Sequence, residues 1–509
     1  MPNQQAKSEL KDMPIAYELA KRQKEISVAE FFTKNRHLLG FDNKRKALLM
    51  AVKEAVDNSL DACEEARTLP ELSVEIIQIG EYKYKVVVED NGPGIVKKQI
   101  PNIFAKLLYG SKFHTLKQAR GQQGIGISAA VLYAQLTTGR PVKITSRVSK
   151  KEPAFYYELN IDTQNNKPVI AKEETIEWAK EHGTRVELDL EAEYIKGTQS
   201  VDEYLKQTAV INPHVTIIYT NPKSEQVIYA RVTDKLPDEP KEIKPHPYGI
   251  EIGMLMDKLR WTKERILNDN NISTRKIKSM LQLQDFLINE FSSVSRSVAE
   301  EICQDASLNK DTEIGYVSRD AAERLISSIQ KTKIRLPPTD CLSPIGEELL
   351  EKGLRKEIKA EFYCATSRAP SVYRGNPFVI EIGVAFGGEI PKEEKANILR
   401  FANRVPLLHQ EGACAMTKSI METNWKPYGL QQSGDSIPIG PVVIVVHMAS
   451  VWVPFTSESK EAIAHYPEII KEIKLALQEC GRLLGTYVRK KVRITEQIQR
   501  ANMFEKYIP

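Results

Sequence analysis

Between residues 52 and 63 the apolar positions return every three or four residues: Val52, Val56, Leu60 and Cys63. That spacing predicts a long helix with one packed face. The other side gathers Glu54, Asp57, Asn58 and Asp61, three acids and an amide within about a third of the circumference, with Lys53 outside that arc. Like charges at this spacing repel, so the face has two readings. It is either a solvated acidic surface, or a site in which a carboxylate polarises water and an amide oxygen completes a magnesium shell. A short helix over 28–34 precedes it, with a turn at Gly40-Phe41-Asp42. Residues 1–30 read as an amphipathic or partly disordered lead-in.

Alternation of period two predicts strands over 72–79, 84–89, 142–147, 154–161 and 184–190. Acids at 187, 189, 191 and 193 alternate with Leu188, Leu190 and Ala192, the pattern of a solvated strand face and not of a metal site. Four prolines between Pro237 and Pro247 mark a linker. Residues 248–335 then read as a small all-α module, with helices over 250–259, 272–281, 284–291, 297–303 and 319–331. Leu336-Pro337-Pro338 marks a second boundary. The third region predicts strands over 378–386, 442–447 and 451–455, an amphipathic helix or charged loop over 392–403, and a final helix over 467–501 that is roughly 50 Å long. The organisation is therefore α+β and multidomain, with units over 1–240, 241–338 and 339–509.

With 509 residues, 41% hydrophobic and 27% charged, the chain is ordinary globular protein. No run of about 18 apolar residues predicts a membrane span, and the first 30 residues lack a signal-peptide core, so a cytoplasmic location is expected. Six cysteines, at 63, 303, 341, 364, 414 and 480, never form Cys-x-x-Cys and read as reduced thiols. A net charge of +5 permits local nucleic-acid contact without requiring it.

Several stretches carry chemistry. Asp90-Asn91-Gly92-Pro93-Gly94 ends a strand in a tight bend in which backbone can closely approach a ligand; taken alone, the motif reads first as a plain strand-ending turn. Gly110-Ser111-Lys112 is followed by Gly121-Gln122-Gln123-Gly124-Ile125-Gly126-Ile127-Ser128, which runs into a helix over 129–135. Glycines at a helix start present free N–H groups and the positive dipole end to phosphate; the other reading is a flexible hinge. Gly-Lys occurs nowhere, so this is not a Walker loop. Asn424-Trp425-Lys426-Pro427-Tyr428-Gly429 holds one lysine between two aromatics, by itself the pattern of a lysine stem lying on an aromatic surface.

In their order these motifs resemble the GHKL (Bergerat) ATPase superfamily of gyrase B, the ninety-kilodalton heat-shock chaperone, MutL and the histidine kinases. The Gly110-Ser111-Lys112 run, the helical module and Trp425-Lys426-Pro427-Tyr428-Gly429 narrow the likeness to the B-subunit family of the type IIB DNA topoisomerases, from about residue 29 to the end. The resemblance implies an α/β sandwich ATPase domain, a helix-two-turns-helix module and an α/β transducer with a C-terminal stalk helix. It implies ATP and Mg²⁺ as cofactors. Glu54 would be the general base and Asn58 the magnesium ligand. Asp90 would hold the adenine amine, with Gly92, Gly94 and Thr184 shaping that side. Ser111, Lys112 and the backbone of Gly121, Gln122, Gln123, Gly124, Ile125, Gly126, Ile127 and Ser128 would hold the phosphates. Lys426 would reach the γ-phosphate from the third domain. Partners so implied are a DNA-cleaving topoisomerase VI A subunit in an A2B2 heterotetramer, double-stranded DNA, and a second copy of the chain on ATP binding. Two rivals stand beside it: a clamp or chaperone-like ATPase without a nuclease partner, and a histidine kinase, for which His37 is the single upstream histidine.

Overall fold

The described residues of this computed structural model are 15–112, 115–121, 124–268, 279–457 and 459–507. Helices α1 (Ile15–Arg22) and α2 (Val28–Lys34) lead into α3 (Lys44–Glu65). Asn43 caps α3, its side-chain oxygen accepting from the Lys46 amide at 2.9 Å. Val52, Val56, Leu60 and Cys63 are buried, as their spacing predicts.

Strands β1 (Glu71–Gly80) and β2 (Lys83–Glu89) form a hairpin, followed by helices α4 (Ile100–Ala105) and α5 (Gly126–Thr138). Next come β3 (Val142–Arg147), β4 (Ala154–Asp162), β5 (Lys167–Ile176), β6 (Gly183–Glu191), α6 (Val201–Ile211), β7 (Thr216–Thr220) and β8 (Gln226–Tyr229). The strands make one sheet in the order β5-β4-β3-β6-β2-β1-β7-β8, antiparallel except where β7 lies parallel to β1. One face is covered by helices: Leu48, Val52, Val56 and Leu60 of α3 share a core with Val74, Val86, Ile144 and Leu188 of the strands. The other face carries the expected acids, paired as Glu187 with Arg185, Asp189 with Arg140 and Glu191 with Lys44.

The module beyond the proline-rich linker consists of α7 (Ile252–Asn268), α8 (Leu283–Glu290), α9 (Arg296–Asp305) and α10 (Arg319–Lys331) around its own core. Ser295 and Ser318 cap α9 and α10. The helix expected over 272–281 falls mainly outside the described residues.

The third unit begins with α11 (Glu347–Glu357) and adds β9 (Phe362–Ser367), β10 (Ser371–Tyr373), β11 (Asn376–Phe386), β12 (Asn397–Ala402), β13 (Val405–Pro406), α12 (Ala415–Met421), β14 (Val442–Ser450) and α13 (Pro467–Tyr507). The helix or charged loop expected over 392–403 is corrected here: its second half is β12, a buried strand parallel to β14. The charge that suggested a surface element is accommodated because the Arg400 guanidinium donates to the carbonyls of Leu407 and His409, each at 2.9 Å. The strand expected over 451–455 shrinks to a single bridge between Phe455 and Ile463.

Ridges from both end units meet in one apolar seam. Val210 and Ile211 of α6 pack with Leu350 and Leu354 of α11 and with Leu399 and Phe401 of β12. Gly353 makes the approach possible, since a Cβ there would stand 2.0 Å from the Val210 carbonyl oxygen. Helix α13 lies on this sheet through Ile469, Ile473, Leu477, Cys480 and Leu484. From Arg489 to Met503 its side chains are exposed. No helix among the described residues is long and apolar enough to cross a membrane.

Candidate active site

Helix α3, the bend after β2 and the start of α5 enclose a cavity of about 620 Å³. Glu54, Asn58, Asp90, Gly94, Ser111, Lys112, Gly121, Gly124, Ile125, Gly126, Ile127 and Thr184 all line it. The acidic helix face and the glycine segment thus meet in one space.

The polar face of α3 divides according to what each side chain meets. Asn58 is the single exposed residue between 47 and 63 and opens into the cavity. Glu54 lies beside it, its carboxylate against the first glycine of α5: a Cβ on Gly126 would be 1.7 Å from Glu54 Oε2. Asp57, by contrast, turns away. It accepts from the Tyr204 hydroxyl at 2.8 Å and from Lys53 Nζ at 3.2 Å, and it is buried. Burial raises its pKa against the opposing pull of Lys53. Lys53 Nζ also stands 3.5 Å from Glu54 Oε1, so a buried ammonium bridges the two carboxylates. Asp61 is likewise engaged, by Arg120 at 2.9 Å and by Lys112. Burial works to raise its pKa, and the two cations outweigh that and hold it down.

At the far wall Asp90 is 4% exposed. It accepts from the Ser59 hydroxyl at 2.8 Å, the Gly92 amide at 2.9 Å and the Thr184 amide at 3.0 Å. Burial nonetheless raises its pKa. A carboxylate offers about four acceptor positions, so one remains for an amine donor in the cavity. Gly94 has φ +70°, and a Cβ there would be 2.0 Å from the Arg147 carbonyl oxygen; the bend after Asp90 therefore requires glycine. Phe41, Met50, Ile95, Ile103, Phe104 and Val186 supply apolar walls.

The opposite end is polar. Helix α5 starts without a side-chain cap, Ile125 standing at its N-cap. Its first N–H groups and dipole end therefore meet the cavity with no side-chain cap from Ile125. A residue that sequence reasoning missed completes this end: Lys460, from the third unit, lines the cavity and donates to the Arg120 carbonyl at 3.3 Å. Burial lowers its pKa while nearby Glu54 opposes that shift. A lone lysine in a Ser- and Glu-rich stretch carries no signal in the sequence.

Of the other residues expected at the site, two stand just behind the cavity wall and one lies away from it. The Ser128 hydroxyl donates to the Ile125 carbonyl at 3.0 Å inside the helix, and Gly92 supports Asp90 without lining the cavity. Lys426 is exposed and does not line the cavity. Trp425 beside it is fully buried and donates to the Ile420 carbonyl at 2.8 Å. Tyr428 packs where Gly481 leaves room on α13, and this anchoring turns Lys426 toward solvent. Gln122 and Gln123 lie outside the described residues. No group of three or more His, Cys, Asp or Glu among the described residues is placed to hold a metal; a magnesium carried by a nucleotide needs only one or two protein ligands, and Asn58 is disposed as one.

Residues 47–189 match the family model for histidine kinase-, DNA gyrase B- and HSP90-like ATPases, and residues 337–500 match that for the topoisomerase VI B subunit, transducer. The B subunit of the type 2 DNA topoisomerase 6 of Methanococcoides burtonii is 52% identical, covering 97% of this chain and 77% of that protein. Its counterpart in Methanosarcina acetivorans is 50% identical over 98% of this chain and 78% of that protein. In Archaeoglobus fulgidus the figures are 47%, 96% and 78%.

Proposed function

Because the chain belongs to the B-subunit family of the type 2 DNA topoisomerase 6 enzymes, it is the ATPase subunit of a type IIB DNA topoisomerase, and we propose the following division of labour among its residues. Glu54 accepts a proton from the water that attacks the γ-phosphate. The Asn58 amide oxygen holds the magnesium bound with the nucleotide, an ion that neutralises charge on the phosphates. Asp90 accepts the exocyclic amine of adenine in its remaining acceptor position, with Gly92, Gly94 and Thr184 shaping that wall. Ser111, Lys112, the segment 121–127 and the open end of α5 cradle the phosphates. Lys460, and not Lys426, brings a cation to the γ-phosphate from the third domain. Preorganised charge of this kind is the main resource of phosphoryl-transfer catalysts.

The single observation that carries this reading is that a carboxylate, an amide, a helix start and a cation from another domain converge on one cavity. On this reading residues 1–240 bind ATP, 241–338 form the helical module, and 339–509 are the transducer. Two copies close on each other when ATP binds, around a DNA duplex, and a separate A subunit cleaves the DNA in an A2B2 assembly. The family does not favour a clamp without a nuclease partner.

The test is to mix the chain with a candidate A subunit and supercoiled DNA. Relaxation and decatenation that require both ATP and the A subunit are expected. Hydrolysis without strand passage would return the reading to the clamp. A sharper check uses Gly126→Ala. The added methyl collides with the Glu54 carboxylate, and misplacing a catalytic group by about 1 Å costs roughly 10²-fold. Steady-state hydrolysis should fall by that factor while the melting temperature stays near that of the parent.

A further inference from the structure

The loop that leads into the glycine segment, residues 116–121, is bonded largely to residues beyond the first unit. The Leu116 carbonyl accepts from the Ile243 amide at 3.1 Å. The Gln118 amide donates to the Cys341 carbonyl at 3.0 Å, and its side chain exchanges bonds with the backbone of Ser343 at 2.7 and 3.2 Å. The Ala119 carbonyl accepts from Asn403 Nδ2 at 3.0 Å. Arg120 forks onto Glu64 of α3 at 2.7 and 2.8 Å. Arg404 reaches that same carboxylate from the third domain at 3.2 Å while donating to Ser343.

Asn403 and Arg404 form the two-residue turn between β12 and β13, and both have left-handed backbones, with φ of +48° and +64°. Asn adopts that conformation readily and a two-residue turn between antiparallel strands favours it, but at Arg404 the surroundings must hold it. Here the surroundings are a buried relay. The Arg404 amide donates to His447 Nε2 at 3.0 Å, which leaves Nδ1 to carry the proton and donate to Glu381 at 2.8 Å. Glu381 in turn accepts from the amides of Ile345 and Gly346, at 2.9 and 2.7 Å, just ahead of α11. Arg120, Arg404, Asn403, His447 and Glu381 are all buried.

We propose that the Asn403–Arg404 turn is a second coupling element of the enzyme: it grips the loop 116–121 through Ala119 and the shared carboxylate of Glu64, and passes that loop's position through His447 and Glu381 to α11 and the transducer sheet. Unlike Lys460, it does not line the cavity. Asn403 and Arg404 are therefore positioning residues, whose loss separates hydrolysis from strand passage. The inference rests on the functional reading above.

The experiment uses the full chain with its A subunit and supercoiled DNA, and counts strand passages per ATP hydrolysed alongside kcat and KM. Asn403→Gly keeps the left-handed turn without strain and removes the bond to Ala119 together with the two bonds that tie the Asn403 side-chain amide to the Ser450 backbone. It should leave kcat and KM for ATP within twofold and reduce passages per ATP at least fivefold. Arg404→Lys keeps the charge but cannot fork to Glu64 and Ser343 together, and should give an intermediate ratio. Hydrogen exchange of the unaltered chain provides a measurement independent of any variant's folding. A non-hydrolysable ATP analogue should slow exchange at 345–347 and 403–406 together with 116–121. An unchanged ratio in the variants, or protection confined to 116–121 in the parent, overturns the inference. Failure of the parent to pass strands at all would instead refute the functional reading.

Discussion

Replacing Glu54 with Gln is expected to lower ATP hydrolysis by about 10²–10⁴-fold, the range a positioned general base contributes, while ATP binding and nucleotide-dependent dimerisation persist. The substitution keeps the shape of the side chain, so the contact with Gly126 survives. What disappears is the capacity to take a proton. Lys53 retains Asp57, its closer partner at 3.2 Å, so the buried ammonium is not orphaned and the fold should hold. Equilibrium binding of a labelled ATP analogue and single-turnover hydrolysis separate the two effects. Near-normal hydrolysis by the variant would remove Glu54 from the base position. Loss of binding with hydrolysis would show that the carboxylate holds the site together instead.

Lys460→Ala should reduce kcat by about 10²–10³-fold, the cost of removing one preorganised charge at a transition state, with a smaller change in KM. Lys426→Ala should leave DNA-free hydrolysis within twofold, because that ammonium is exposed and off the cavity. The pH profile adds a second readout. Burial moves the Lys460 pKa of the free protein below its ordinary 10.5, so kcat/KM, which reports free-enzyme groups, should decline at a lower alkaline pH than for a solvated lysine. The decline should vanish from the residual activity of the Ala variant. Equal losses from Lys426→Ala and Lys460→Ala would contradict the assignment.

How much of this could be read from the chain depended on how local each signal was. The helix face of Glu54 and Asn58 obeys a 3.6-residue period, and the glycines at 92, 94, 124 and 126 are needed for reasons of backbone and close approach; both kinds of signal lie within a dozen residues. Even there, periodicity assigned Asp57 and Asp61 to the same face as Glu54. Only the tertiary partners Tyr204, Arg120 and Lys112 turn them aside. Edge strand β5, exposed along most of its length, has no alternation to detect. β12 was hidden by Arg400, whose burial depends on carbonyls seven and nine residues away. Lys460 was illegible for the strongest reason: it meets Glu54 across some 400 positions of sequence, and no local pattern encodes that approach.

The final helix has a mechanical corollary. At 1.5 Å per residue, its 41 residues span about 60 Å, and its outer turns stand clear of the body. A rod of that reach acts as gearing: because its first half is packed on the sheet through Ile469 to Leu484, a turn of sheet and helix together by about 5° carries Tyr507 some 5 Å. A small rotation of the transducer sheet is thus delivered, enlarged, to the far end of the helix, without any contact between helix and sheet having to break.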